Sequence, residues 1–208
     1  MARFARAIAR AGLSLVMLTP MPGGAPGAAQ ATVGPPPTKV VHFVPAVPPS
    51  SPGVPGDCWT TSIAAGFRAD AYRCRTGNAI HDPCFVVPHA ARVVCDVDPR
   101  NAAGGQVLDL TAPLPAADGP PTADHLAWFF ALADGTTCAP LTGTRREIDG
   151  TMEIYACRFG VAGEADAALG DLDATGPVWT IRLALLNKKV DPPTIKSLIV
   201  TAVATVWQ

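Results

Sequence analysis

The chain has 208 residues, with 16 lysine and arginine against 17 aspartate and glutamate, 22 prolines and six cysteines. A balance without basic excess excludes a nucleic-acid surface, which draws on clustered cations to meet phosphates, and a polybasic membrane patch. Length and a 49% apolar content suit one domain with a sizeable core.

Arg3, Arg6 and Arg10 precede an apolar run from Ala11 to Leu18, which loosens into Pro, Gly and Ala up to Ala29-Gln30-Ala31. A basic start, a short apolar centre and a small-residue cut site make residues 1–31 a secretory signal peptide. Spanning a bilayer takes about 20 apolar residues, so no membrane span is expected here or later. No cysteine sits near the cut, so no lipid anchor is expected. Removing the leader takes away three arginines and no acid, leaving 13 basic against 17 acidic residues, a formal charge of −4. The mature chain is expected to be secreted, extracellular or periplasmic.

Residues 32–55 are one-third proline, which favours an extended, polyproline-like linker. Lys39 to Val44, KVVHFV, is the one place there for an edge strand. A β-rich domain then occupies residues 56–208. Short helical turns are expected at Ser62 to Ala65 and Ala69 to Arg73. His125 to Ala133 puts Leu126, Trp128, Phe130 and Leu132 on one face before Asp134-Gly135, a hairpin signal; a short helix capped by Thr122 is the competing reading. Asp149-Gly150 feeds Thr151 to Phe159, apolar on both faces and so a central strand. After a loop rich in Gly, Ala and Asp, Pro177 to Leu186 and the β-branched Leu198 to Trp207 form the closing hairpin. The fold class is mainly β: a disulfide-stapled antiparallel β-sandwich or small barrel with one or two short helical turns.

Six cysteines allow fifteen pairings, among which sequence does not choose. Proximity and the turn signals favour Cys58 with Cys74, Cys84 with Cys95, and Cys138 with Cys157. Each bridge adds about 2 to 4 kcal/mol. The first two are expected to staple a segment poor in regular structure.

Cys58-Trp59-Thr60, Arg68, Asp70-Ala71-Tyr72-Arg73-Cys74, Asp82-Pro83-Cys84-Phe85 and Cys95 form a CW...DAYRC...DPCF pattern. Trp128, Asp134-Gly135, Cys138, Tyr155-Ala156-Cys157, Gly170-Asp171 and Trp179 continue it. The series resembles a group of secreted bacterial proteins with no assigned activity. The resemblance implies the disulfide framework and the domain limits, and nothing of chemistry.

Gly56-Asp57-Cys58-Trp59 is similar to the Cys-Trp start of the nucleophile helix in papain-like proteases. The spacing departs from that family, whose histidine follows more than a hundred residues later, and an even cysteine count favours a bridge. A transglutaminase-like order of Cys58, His81 or His89, and Asp96 or Asp98 exists on paper. Ser62 lacks a Gly-x-Ser-x-Gly setting, and Thr60, Thr61 and Ser62 read as capping hydroxyls. His42, His81, His89 and His125 are too scattered for zinc. Asp171 and Asp173, and more loosely Asp96 and Asp98, are weak calcium candidates without the distal bidentate Glu of an EF-type loop; no cofactor is expected. Arg68, Asp70, Tyr72 and Arg73 crowd one segment as a candidate recognition patch or a local scaffold. Trp128, Phe129, Phe130, Trp179 and Trp207 make a sugar platform if exposed and core if not.

The leading functional expectation is a secreted, non-catalytic binding or structural domain, its partner a protein or polysaccharide outside the cell. The alternatives are a secreted hydrolase using Cys58 or Ser62 with His81 or His89, and an inhibitor of an extracellular enzyme.

Overall fold

At the Asp149-Gly150 step both residues have positive φ, 48° and 75°, the pair of left-handed conformations that turns two twisted strands back on each other. At Asp134-Gly135 the Asp134 carboxylate accepts the Thr136 N–H at 2.8 Å. Turns of this kind, repeated along the chain, produce an all-strand molecule. It is described from a computed structural model covering residues 34–47, 50–101, 104–116, 127–158 and 167–208. The expected signal peptide, His125, Leu126, Thr122 and Phe159 lie outside these residues.

Two closed barrels follow one another within a single compact unit, Pro35–Gln208. The first consists of β2 (Val54–Thr61), β3 (Ala71–Thr76), β4 (Ala79–Val86), β5 (Arg92–Cys95) and β6 (Gln106–Leu110). Its neighbours are antiparallel except β6 with β2, which pair in parallel, Leu108 opposite Val54. An up-and-down meander with an odd number of strands closes only this way.

The second barrel has the order β7 (Phe129–Leu132), β8 (Thr137–Pro140), β10 (Thr151–Arg158), β11 (Ala167–Asp173), β12 (Thr180–Asn187) and β13 (Thr194–Trp207). An even count lets it close antiparallel, β13 against β7 with Trp207 opposite Phe129. A short β9 (Glu147–Ile148) pairs with β10. The strand expected within Lys39–Val44 forms as β1 (Lys39–Val41), parallel to the end of β13. Thr38 anchors it, donating to the Val203 carbonyl at 2.7 Å and accepting the Trp179 N–H at 2.7 Å.

Four hydrophobic clusters follow from this plan among the described residues, one of them formed by Ile148, Ala167, Leu169, Ala184 and Leu186. Phe130, Leu132, Tyr155, Ile181 and Val203 fill the second barrel. Tyr72, Val93 and Leu108 pack with two cystines inside the first. Between the barrels, Phe43, Phe85 and Trp128 meet with ring centroids 4.8 to 5.2 Å apart, joined by Val94, Val97 and Trp207. The bridges are Cys58–Cys74, Cys84–Cys95 and Cys138–Cys157, each between residues directly opposite on paired strands.

Three expectations need correction. No helix forms among the described residues: the turns after Ser62 are held by side chains that compete with helical bonding, and Ala71 to Arg73 begin β3. The segment expected to be poor in regular structure is the first barrel itself. The loop expected at Gly170 to Asp173 is the second half of β11, which bulges where Gly170 takes a φ of 68°.

Candidate functional site

The cis Asp82-Pro83 step and the loop after β5 face the ends of β7, β8 and β10 across a cleft of about 380 Å³. The first barrel contributes Asp82, Pro83, Asp96, Val97, Asp98 and Arg100; the second contributes Trp128, Phe129, Thr137, Cys138, Ala139, Ala156 and Arg158. The volume lies in the range of small-ligand sites.

Asp82 forms part of the wall. Its side chain is 1% exposed, and it accepts Ser62 Oγ and the N–H groups of Ile63 at 3.1 Å and Ala64 at 3.4 Å. Ser62 Oγ in turn accepts the Ala65 N–H at 2.8 Å. Burial pushes the Asp82 carboxyl above the usual carboxylate range, against the opposing pull of these donors and of Arg73. Arg73 Nε stands 4.0 Å away.

Charge is distributed along the mouth. Arg100 Nε donates to Asp98 at 2.8 Å and the guanidinium sits 5.9 Å from the Phe129 ring centre. That hydrogen bond holds Asp98 below the usual carboxylate range, with Arg158 adding its charge. Arg158, exposed at the end of β10, lines the same cleft. Trp128 is 2% exposed, and its Nε1–H finds no acceptor among the described residues. A buried donor left unpaired costs about 1 to 3 kcal/mol, and this nitrogen is itself closed off from the cleft.

No family model, curated protein or solved structure matches the chain. The reading of the site therefore rests on its own geometry.

Of the expected catalytic groups, His81 and Asp96 do meet. His81 Nδ1 lies 2.7 Å from Asp96 Oδ2 and Nε2 lies 3.1 Å from Thr76 Oγ1. Neither expected nucleophile joins them: Cys58 is bridged to Cys74, and Ser62 donates to Asp82. His89 lies exposed, with φ 61°, between β4 and β5, and His42 is exposed after β1.

The candidate recognition patch is divided. Arg68 turns inward, gripping Asp70 with two bonds of 2.8 and 2.6 Å and reaching the carbonyls of Phe43 at 2.7 Å and Gln208 at 2.9 Å. Its guanidinium lies 4.7 Å from the Phe85 ring centre. Tyr72 is buried inside the first barrel, whereas Asp70 keeps much of its carboxylate in solvent. Among the aromatics, Trp128, Phe130 and Trp207 are core, while Phe129 and Trp179 are half-buried.

Asp171 and Asp173 are exposed on β11, and Asp173 accepts the Thr175 N–H and hydroxyl at 3.0 and 2.7 Å. Among the described residues, the only three potential metal ligands that converge are bridged cysteine sulfurs. Sequence reasoning missed Arg100 and Arg158 as cleft groups. The Asp82-Pro83-Cys84-Phe85 motif, the Asp96/Asp98 pair, Cys138 and the aromatics Trp128 and Phe129 are the residues singled out from sequence that line the cleft.

Proposed function

We propose that the chain is an exported, non-catalytic binding protein that seats a hydroxyl-rich ligand, a saccharide unit of an extracellular polysaccharide, in the cleft between its barrels. The observation that carries this reading is a cleft of about 380 Å³ whose lining brings Arg158, Asp96 and Phe129 together. Hydroxyls both donate and accept, so one sugar ring meets a carboxylate and a guanidinium together, while its C–H face covers an aromatic side chain. Export is supported by the basic-then-apolar leader and by three cystines, which persist in oxidising compartments.

Ala156 is an exposed side chain on the cleft wall, so Ala156→Trp fills the space without disturbing either core. Titrating the purified chain with oligosaccharides from extracellular polymers, read by saturation-transfer NMR, is expected to show contacts that Ala156→Trp weakens at least tenfold. Binding that Ala156→Trp leaves unchanged, or binding of peptides in preference to saccharides, overturns the proposal.

A further inference from the structure

We propose that the sulfurs of the first barrel form a thiol–disulfide exchange relay that an external dithiol enters at Cys58. This stands independently of the cleft and its ligand. Cys58–Cys74 joins β2 to β3 and Cys84–Cys95 joins β4 to β5. Both bridges turn into the same small interior, and the Sγ atoms of Cys74, Cys84 and Cys95 all lie within 4.8 Å of one another. Sulfurs of two different bridges thus stand close enough to exchange by side-chain rotation, with the strands in place.

Burial sets the order of events. Cys58 keeps 7% of its surface, whereas Cys74, Cys84 and Cys95 keep none. An outside thiolate reaches Cys58 Sγ first. Exchange proceeds by attack of a thiolate on a disulfide sulfur through a mixed disulfide.

In the first step a dithiol thiolate bonds to Cys58 Sγ, and the Cys58–Cys74 bond breaks with its electron pair left on Cys74. The second thiol of the reagent then displaces Cys58, closing the reagent's own disulfide and leaving Cys58 as a thiol. In the last step the Cys74 thiolate attacks Cys84 or Cys95, makes a new bridge from β3, and expels the other cysteine as a thiolate, which takes up a proton. Two electrons have entered, the dithiol is oxidised, and one bridge remains in the barrel with its partners changed. His81, opposite Cys74 in the strand register, flanks the position where the first protein thiolate appears.

The Cys138–Cys157 bridge of the second barrel serves as an internal control. The test treats the full chain with one equivalent of dithiothreitol, quenches with acid, alkylates the thiols and maps the remaining bridges by mass spectrometry. The expected product carries alkylated Cys58, alkylated Cys84 or Cys95, a new bridge from Cys74, and an intact Cys138–Cys157. Alkylation of Cys58 and Cys74 with Cys84–Cys95 intact overturns the relay, and so does first opening of either other bridge. In Cys58→Ser the unpaired thiol is expected on Cys84 or Cys95; a thiol that stays on Cys74 sinks the idea. Should that variant fail to fold, the wild-type map decides alone.

Discussion

Asp82 is a carboxylate that folding removes from water and then surrounds with a hydroxyl and two peptide N–H groups. Because burial outweighs those donors, its folded pKa lies above the ordinary 3.8. Folding therefore favours the protonated form: the contribution is fully present below the unfolded pKa and is lost as pH rises through the folded one. Asp82→Asn has no such titration. The stability of wild type minus that of Asp82→Asn, from urea unfolding, is expected to fall as pH rises from about 3 to about 7, and a flat or rising difference refutes the burial argument. The subtraction cancels Asp98, whose shift is downward. Arg68 makes a second residue-scale prediction, since one planar fork satisfies Asp70 and two backbone carbonyls together. Arg68→Ala is expected to cost about 3 kcal/mol in chemical denaturation, and Arg68→Lys to recover less than half of it, because an ammonium cannot reproduce that geometry.

At the scale of elements, β13 is two strands in one. Its second half pairs with β7 and β1, but from Thr194 to Ala202 only β12 pairs with it among the described residues. Leu198, Ile199 and Val200 there are 47%, 52% and 64% exposed. An apolar open edge invites pairing between molecules, and a lysine blunts it. Ile199→Lys is expected to shift stability by less than about 0.5 kcal/mol while raising the concentration at which light scattering detects aggregates; a large loss of stability means this edge is covered. The run was legible as a strand because it is β-branched, yet its apolarity did not report burial. The second barrel was legible from Asp-Gly turns between apolar alternations, apart from β11, whose Gly170 bulge resembled a loop. The first barrel was not. Cysteines and Tyr72 take many of its inward positions, apolar Val54, Trp59 and Ile80 stand exposed on β2 and β4, and Pro83 interrupts β4, so neither period nor propensity marked strands. The site was legible only in fragments, since a cleft between barrels draws its residues from sequence positions 82 to 158, which no local pattern connects.

At the scale of the molecule, the barrels share a small ring cluster in which Phe43 belongs to neither. Carried in from outside both barrels and held by its N–H to Gln208 at 2.9 Å, it packs against Phe85 of the first barrel and Trp128 at the start of the second. Phe43→Ala is expected to cost about 3 to 5 kcal/mol and to separate one calorimetric transition into two, one per barrel; a single transition in the variant means the coupling lies elsewhere. The strand counts carry a last implication. With six strands, the second barrel begins and finishes on the same rim, where the Trp128 backbone N–H donates to the Trp207 carbonyl at 3.1 Å. It is thus built like a plug-in cassette: cut out at that rim and spliced into a surface loop of a host protein, it would need only a short gap in the host backbone.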